Sequence, residues 1–104
     1  MTPDIQKTRR EMLRWLILLT LQNSRPVAMH ESALLQVLQT IYPDVTPMES
    51  RREQDYLSDR ELVCITKRPD NVWLSDLTRH GVDVVEYTVD VEPGIARPPK
   101  YWVG

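Results

Sequence analysis

The chain has 104 residues, a length that fits one compact domain but not two. It is 41% hydrophobic and 27% charged, which excludes an intrinsically disordered chain, whose hydrophobic content is lower. Its formal net charge of −2 excludes a protein that coats nucleic acid by overall positive charge, so such a contact would need a local basic patch.

The cysteine content and the hydropathy of the chain limit the cellular compartments in which it is expected. The single cysteine, Cys64, cannot close an intramolecular disulfide. The mixed polar and charged N-terminus, residues 1–14, lacks the apolar centre of a signal peptide. The longest apolar run, residues 15–19, is too short to span a bilayer, which needs about 20 residues. These features predict a soluble cytoplasmic protein that makes no membrane contact.

The first predicted helix covers residues 5–23 and carries two apolar stripes. One stripe consists of Leu13, Leu16, Ile17 and Leu21, and the other of Trp15, Leu18 and Leu19. A helix that is apolar on two sides needs partners on both. The core of so small a domain buries one stripe. The other is covered either by the C-terminal segment or by a second copy, which would make a homodimer through this helix.

A turn, a strand and a second helix follow. Pro26 and the polar residues before it end the first helix, since proline cannot continue it. The short apolar run at residues 27–29 predicts a brief strand. Residues 30–42 then predict the second helix, with leucines at helical spacing on one side.

The third helix has the clearest start signal in the chain. Thr46 is suited to the N-cap, Pro47 to the first helical position and Glu49 to the third, a pattern that predicts a capping box. The helix is predicted to end near Ser58. Because few of its residues are apolar, most of its surface should face solvent or a polar partner.

A β-hairpin is predicted next. Residues 62–66 and 72–74 are rich in strand-forming side chains, and strong turn residues separate them at 67–71. Ser75 or Asp76 is suited to cap a fourth helix that runs to Tyr87.

The C-terminal segment, residues 89–104, is rich in proline and is predicted to be extended. Tyr101 and Trp102 are expected to dock onto the domain or a partner. The predicted organisation is therefore a domain at 1–88 and a tail at 89–104.

The order helix, strand, helix, helix, hairpin, helix predicts a mainly α fold with a small β-hairpin (α+β), of the winged helix-turn-helix type. Residues 51–63, RREQDYLSDRELV, resemble the junction between recognition helix and wing in bacterial winged-helix regulators. There a Tyr-Leu pair closes the helix and a Leu-Val pair opens the wing. Residues 73–81, WLSDLTRHG, resemble the segment in which the second wing strand passes into a helix.

With the tail motif PGIARPPKYW at 93–102, the whole chain is similar to small proteins of Mu-like phages and prophages labelled as arsenical-repressor-like regulators. The resemblance implies a phage-encoded, DNA-binding transcriptional regulator or DNA-handling accessory. Metal-sensing members of the arsenical-repressor family carry paired cysteines near the recognition helix. This chain has only Cys64, so the resemblance does not imply metal sensing.

Enzymatic chemistry is not expected from these side chains. His30 and His80 are the only histidines, and neither lies in a cluster with metal-ligand spacing, so no metal site is predicted. Three glycines could hardly build a phosphate-binding loop, and no cofactor is predicted. Cys64 lies between two β-branched residues, where a cysteine usually serves as a small apolar side chain.

The candidate DNA-binding residues lie on the third helix and the predicted wing: Ser50, Arg51, Arg52, Gln54, Lys67 and Arg68. Early residues of such a helix reach base edges in the major groove, where Arg pairs with guanine and Gln with adenine. Lys67 and Arg68 are placed to bind phosphate. Four acidic residues oppose this function by repelling phosphate: Glu49, Glu53, Asp55 and Asp59.

Two functions therefore remain open. The first is a DNA-binding winged helix, supported by the capped Arg-Arg helix and the basic wing. The second is a non-enzymatic protein-interaction module, such as a phage assembly or packaging accessory, which binds a phage protein through the C-terminal tail. The acid-rich third helix and the aromatic tail favour the second.

Overall fold

The computed structural model describes residues 3–100. Within them, four helices and three strands form in the order α1 (Ile5–Ser24), β1 (Met29–His30), α2 (Glu31–Ile41), α3 (Pro47–Asp59), β2 (Val63–Lys67), β3 (Trp73–Leu77) and α4 (Arg79–Val85). The prediction of a mainly α chain with a β-hairpin is confirmed. Expectations for Tyr101 and Trp102 fall outside the described residues.

The three strands form one antiparallel sheet in the order β1-β3-β2. β2 and β3 are the predicted hairpin, with Cα partners from Val63↔Leu77 to Lys67↔Trp73. β1 adds two residues to the other side of β3, where Met29 lies opposite Ser75. The strand predicted at residues 27–29 is therefore shifted toward α2, because only Met29 and His30 reach β3.

α1 lies at the centre of the fold and contacts α2, α3, α4 and β3. Its buried side chains come from both predicted stripes: Leu13, Trp15, Ile17, Leu18 and Leu21. Trp15 meets Tyr87 edge to face at 6.4 Å, and Ile95 is buried in the same cluster. The second stripe of α1 is thus covered by the chain's own C-terminal half, which is one of the two predicted alternatives. Leu16 and Leu19, which also belong to these stripes, are only partly buried.

The described part of the tail, residues 89–100, forms no helix or strand but is bound to the domain. Ala96 N–H donates to the carbonyl of Glu11 at 3.1 Å. The Arg97 guanidinium donates to the carbonyls of Val84 and Val89, both at 2.9 Å. These bonds, with the buried side chain of Ile95, make the segment part of the core.

Two predicted helix starts have different outcomes. Thr46 caps α3, accepting from Glu49 N–H at 3.1 Å, but the Glu49 carboxylate binds Arg9 instead of completing a capping box. The predicted cap of α4 at Ser75 or Asp76 is wrong. Both residues belong to β3, whose alternate side chains Trp73, Ser75 and Leu77 are buried, and Thr78 caps the helix instead.

The turn from α3 into β2 depends on Glu61, whose φ of 61° is left-handed. Its N–H donates to the carbonyl of Ser58 at 2.9 Å, and Leu62 N–H donates to that of Leu57 at 3.0 Å. This pair of bonds is a Schellman motif, which closes the last turn of a helix and usually has glycine at this position. It sets the direction in which the hairpin leaves α3.

Gly81 marks a close approach between α4 and the start of β2. A Cβ at this position would lie 2.1 Å from the carbonyl oxygen of Leu62. We expect Gly81→Ala to lower the free energy of unfolding by at least about 2 kcal/mol, since the backbone would have to move. His80→Ala, at an exposed neighbour, should change it by less than about 0.5 kcal/mol. Urea denaturation of both variants measures the difference, and equal stabilities would contradict this account.

Candidate interaction surface on the third helix

The exposed side of α3 beyond Pro47 is a single stripe, which we call the α3 face: Met48, Arg52, Asp55 and Asp59. Their spacing of three or four residues aligns them along one side of the helix. Met48 is 78% exposed, an unusual position for a large apolar side chain. The stripe therefore offers one apolar group, one guanidinium and two carboxylates.

Two predicted DNA-binding residues, Ser50 and Gln54, lie in the interior. Gln54 is fully buried, and its amide nitrogen donates to the Ser50 hydroxyl at 3.1 Å. Its amide oxygen accepts from the Ser75 hydroxyl at 2.6 Å, joining α3 to β3. The prediction that Ser50 and Gln54 contact DNA is wrong for this structure, because both side chains are used up in a buried hydrogen-bond network.

Arg51 is turned toward the hairpin and α2. Its guanidinium binds the Glu31 carboxylate with two hydrogen bonds of 2.8 and 2.7 Å and donates to the Asn71 carbonyl at 2.6 Å. It also lies 4.6 Å from the centre of the Trp73 ring. Hydrogen bonding to Arg51 holds the pKa of Glu31 below its usual value. Three of the five N–H donors of this arginine are thus used within the chain, and only the two on Nη1 are left for base recognition.

The other predicted cations are exposed, and each has a carboxylate nearby. Arg52 has a side chain 66% exposed and lies 3.7 Å from a Glu53 oxygen. Lys67 lies 3.9 Å from Asp55. Arg68, in the hairpin turn, binds Asp70 at 2.7 Å. The positive groups therefore do not form a strip that is free of acidic residues.

A third inward-facing residue of α3, Glu53, was not singled out from the sequence as structural. One of its oxygens accepts from Arg14 of α1 at 2.8 Å, and the other has no hydrogen-bond partner among residues 3–100. Arg14 also donates to the Gly94 carbonyl at 2.9 Å and lies 3.5 Å from the centre of the Tyr56 ring. Arg14 thus ties α1, α3 and the tail together.

The helical periodicity of the sequence would have identified the inward side of α3. Leu57 is the anchor of α3 in the core, and positions seven, four and three residues before it share its side of the helix. Those positions are Ser50, Glu53 and Gln54. Their polar identity concealed the pattern.

Beside the α3 face, the N-terminal turn of α1 adds a second exposed apolar group. Ile5 is 72% exposed. Two shallow depressions share Gln6 and Arg9, one lined by Ile5 and the other by Met48. Arg9 itself is neutralised by Glu49 at 2.8 Å and Asp44 at 2.9 Å. The two apolar side chains thus flank an ion-paired arginine.

Residues 3–100 lack two further kinds of feature. They contain no group of three or more His, Cys, Asp or Glu that could hold a metal ion. No helix among them is long and apolar enough to cross a membrane. Cys64, expected to serve as a small apolar side chain, is exposed, because the inward side of β2 is formed by its neighbours Val63 and Ile65.

No family model, curated protein or solved structure matches this chain.

The buried network of α3 gives a stability prediction. We expect Gln54→Ala to lower the free energy of unfolding by about 2–4 kcal/mol, since it leaves a cavity and removes the partner of the Ser75 hydroxyl. Arg52→Ala, two residues earlier and on the exposed side, should cost less than about 0.5 kcal/mol. Thermal and urea unfolding compare the two variants. A Gln54→Ala protein as stable as the wild type would contradict the buried role of this residue.

The Arg51–Glu31 pair gives a pH prediction. Because the pKa of Glu31 is lower in the folded chain than its ordinary value of 4.5, the pair stabilises the fold fully above that value. The stabilisation is lost as the pH falls through the folded-state pKa. We expect Glu31→Gln to be less stable than wild type by about 1 kcal/mol at pH 7 and the difference to shrink below pH 4.5.

Urea denaturation between pH 3 and 7 measures this difference directly. Asp90→Asn, at an exposed carboxylate with no ion pair among residues 3–100, is the control and should match the wild type closely at pH 7. A Glu31→Gln deficit that stays constant down to the lowest pH would contradict the assignment.

Proposed function

We propose that this chain is a winged-helix protein that binds another protein through the α3 face and Ile5, rather than reading DNA bases. The order of elements, with an antiparallel hairpin directly after α3, supports the winged-helix assignment. The observation that carries the proposal is the side-chain distribution on α3. Ser50 and Gln54 are buried and Arg51 is ion-paired with Glu31, whereas the exposed stripe carries Met48, Arg52 and two carboxylates.

Charge on the α3 face argues against insertion into a major groove. A recognition helix there lies between two phosphate backbones and presents donors to base edges. Arg52 is the one cation of the α3 face, whereas Asp55 and Asp59 are both exposed carboxylates. The stripe thus has a net negative charge, which phosphates repel.

The exposed apolar groups favour a protein partner. Ile5 and Met48 are among the most exposed large hydrophobic side chains of the described chain. Methionine adapts its shape to a partner surface, and apolar anchors beside charged residues are typical of protein interfaces. The partner that fits has an apolar pocket for Met48 and basic groups that complement Asp55 and Asp59.

The resemblance to proteins of Mu-like phages makes another protein of the same phage, in the host cytoplasm, the natural partner. A non-enzymatic accessory role in assembly or packaging fits this proposal. The sequence also predicted that a phage protein binds the tail. Residues 89–100 are less suited to this role, because Ile95 and Arg97 bind this segment to its own domain.

DNA binding remains a second candidate because of the hairpin turn. Lys67 and Arg68 are both exposed at one end of the sheet. A wing with two cations can contact phosphate and hold a protein on a duplex without reading its sequence. In this case binding would be weak and would fall steeply with salt.

Site-specific photocrosslinking tests the protein-binding proposal. A photoreactive amino acid at Met48 should link the chain to one phage protein when both are made in infected or induced cells. The same amino acid at Val27, which is 68% exposed and lies in the loop after α1, is the control. We expect the adduct from position 48 alone, and its loss in an Ile5→Glu variant. Equal labelling from both positions would contradict the proposal.

Fluorescence anisotropy with a duplex from the phage regulatory region tests the alternative. Near 50 mM salt, where phosphate contacts are strongest, we expect little binding. Asp55→Asn with Asp59→Asn should increase it if carboxylate repulsion is the cause. Tight wild-type binding at about 150 mM salt, abolished by Lys67→Ala with Arg68→Ala, would favour DNA and overturn the protein-binding proposal.

A further inference from the structure

The outer face of α2 is uncharged and partly apolar. Each of the other three helices within residues 3–100 has an exposed charged side chain, such as Lys7 on α1, Arg52 on α3 and Arg79 on α4. The exposed residues of α2 carry no charge: Ser32, Ala33, Gln36, Val37, Thr40 and Ile41. In a chain in which 27% of the residues are charged, this face is suited to burial, because charged residues are depleted at the centres of interfaces.

Three of these residues, Ala33, Val37 and Ile41, form an apolar stripe, because residues four apart lie on the same side of a helix. Val37 is 39% exposed and Ile41 is 54% exposed, so contacts within residues 3–100 leave both open to a partner. Beside the stripe, the Thr40 hydroxyl donates to the Val37 carbonyl at 2.6 Å. Burial of Thr40 would therefore leave no unsatisfied donor.

We propose that two copies of this chain form a dimer by packing their α2 helices antiparallel about a two-fold axis at Val37. Val37 of each copy lies beside Val37 of the other, and Ala33 of each lies beside Ile41 of the other. Rows of residues spaced four apart lie side by side in this way in the commonest class of helix pair, whose axes cross at about −50°. Both copies contribute the same patch, as a two-fold axis requires.

The absence of charge selects a second copy as the occupant. A partner with charged groups at this position would have to remove them from water without gaining an ion pair, which costs free energy. The same face of a second copy is also uncharged and brings no such cost. Among the exposed helix faces of residues 3–100, the face of α2 alone meets this condition.

The sizes of the three side chains select the antiparallel orientation. They increase along the helix from Ala33 through Val37 to Ile41. When one helix is reversed, the smallest side chain lies beside the largest on both sides of the axis, and the space between the helices is filled evenly. A parallel pair would bring two isoleucines together at one end and leave a gap between two alanines at the other, with loss of packing contacts.

The length of α2 limits the strength of this dimer. Its 11 residues span about 16 Å, so the contact lies at the low end of specific interface sizes, near or below about 1,200 Å² in total. We therefore expect a weak dimer, with a dissociation constant between roughly 10 µM and 1 mM. The inference goes beyond the proposed function, because it involves neither Met48 nor Ile5, and it differs from the homodimer predicted through α1.

Sedimentation equilibrium of the full chain, at concentrations up to about 1 mM, tests the dimer. Val37→Glu places two carboxylates at the two-fold axis. Gln36→Glu adds the same charge to the same helix about 100° away and is the matched control. We expect Val37→Glu to raise the dissociation constant at least about tenfold and Gln36→Glu to raise it less than about threefold. Circular dichroism checks that each variant is folded. A wild-type protein that stays monomeric, or equal weakening by the two variants, would overturn the proposal.

Disulfide formation between two variants tests the orientation. Ala33→Cys and Ile41→Cys are each combined with Cys64→Ser, which removes the native thiol. In the antiparallel dimer, position 33 of one copy lies beside position 41 of the other, whereas the two positions 33 are about 12 Å apart along the helices, beyond the reach of a disulfide. Mild oxidation of a mixture should therefore give the mixed disulfide at least about tenfold faster than either variant alone cross-links. Faster cross-linking of like positions would overturn the antiparallel contact.

Discussion

The fold depends on one constraint: α1 is apolar on two sides, and both must be removed from water. α2, α3, α4 and β3 contact this helix, and residues 89–100 add Ile95 to the same core. Burial of apolar surface is worth about 25 cal/mol per Å², so the loss of any of these contacts would destabilise the fold. This explains why a proline-rich segment without helix or strand is still part of the core. Ile95 belongs to the same buried cluster as Trp15 of α1.

Because α3 is a polar helix, packing it against α1 buries polar side chains, and their burial costs free energy. This cost determines the role of the α3 side chains. Glu53 and Gln54 are buried, and a buried polar group is stable only when it is hydrogen-bonded. Arg14 partners Glu53, and the hydroxyls of Ser50 and Ser75 partner the Gln54 amide. α3 therefore uses its inward polar groups for attachment to the fold. What it can offer a partner is limited to the remaining stripe.

Signals from neighbouring residues predicted most of the helices and strands correctly. Contacts between residues distant in sequence explain the predictions that were wrong. Thr46 and Pro47 located the start of α3, because capping depends on neighbours in sequence. Ser75 looked like a cap by the same reasoning, but pairing with Met29 and Ile65 extended β3 instead. The site was harder to predict, since its partners are distant in the chain. Nothing near Arg51 indicates that Glu31, 20 residues earlier, takes up its guanidinium. Polarity alone therefore suggested a solvent-facing role for side chains that are interior.

The α3 face is held in a fixed position by charged groups on its neighbours. Lys67 of β2 lies 3.9 Å from Asp55 of α3, and Arg51 binds both Glu31 of α2 and the Asn71 carbonyl in the hairpin turn. A partner that binds the α3 face therefore meets a surface that is already ordered, and less conformational entropy is lost on binding. The small size of this face, which has one exposed methionine and few charged groups, is then no obstacle to specific attachment, because preorganisation lowers the free-energy cost that each contact has to offset.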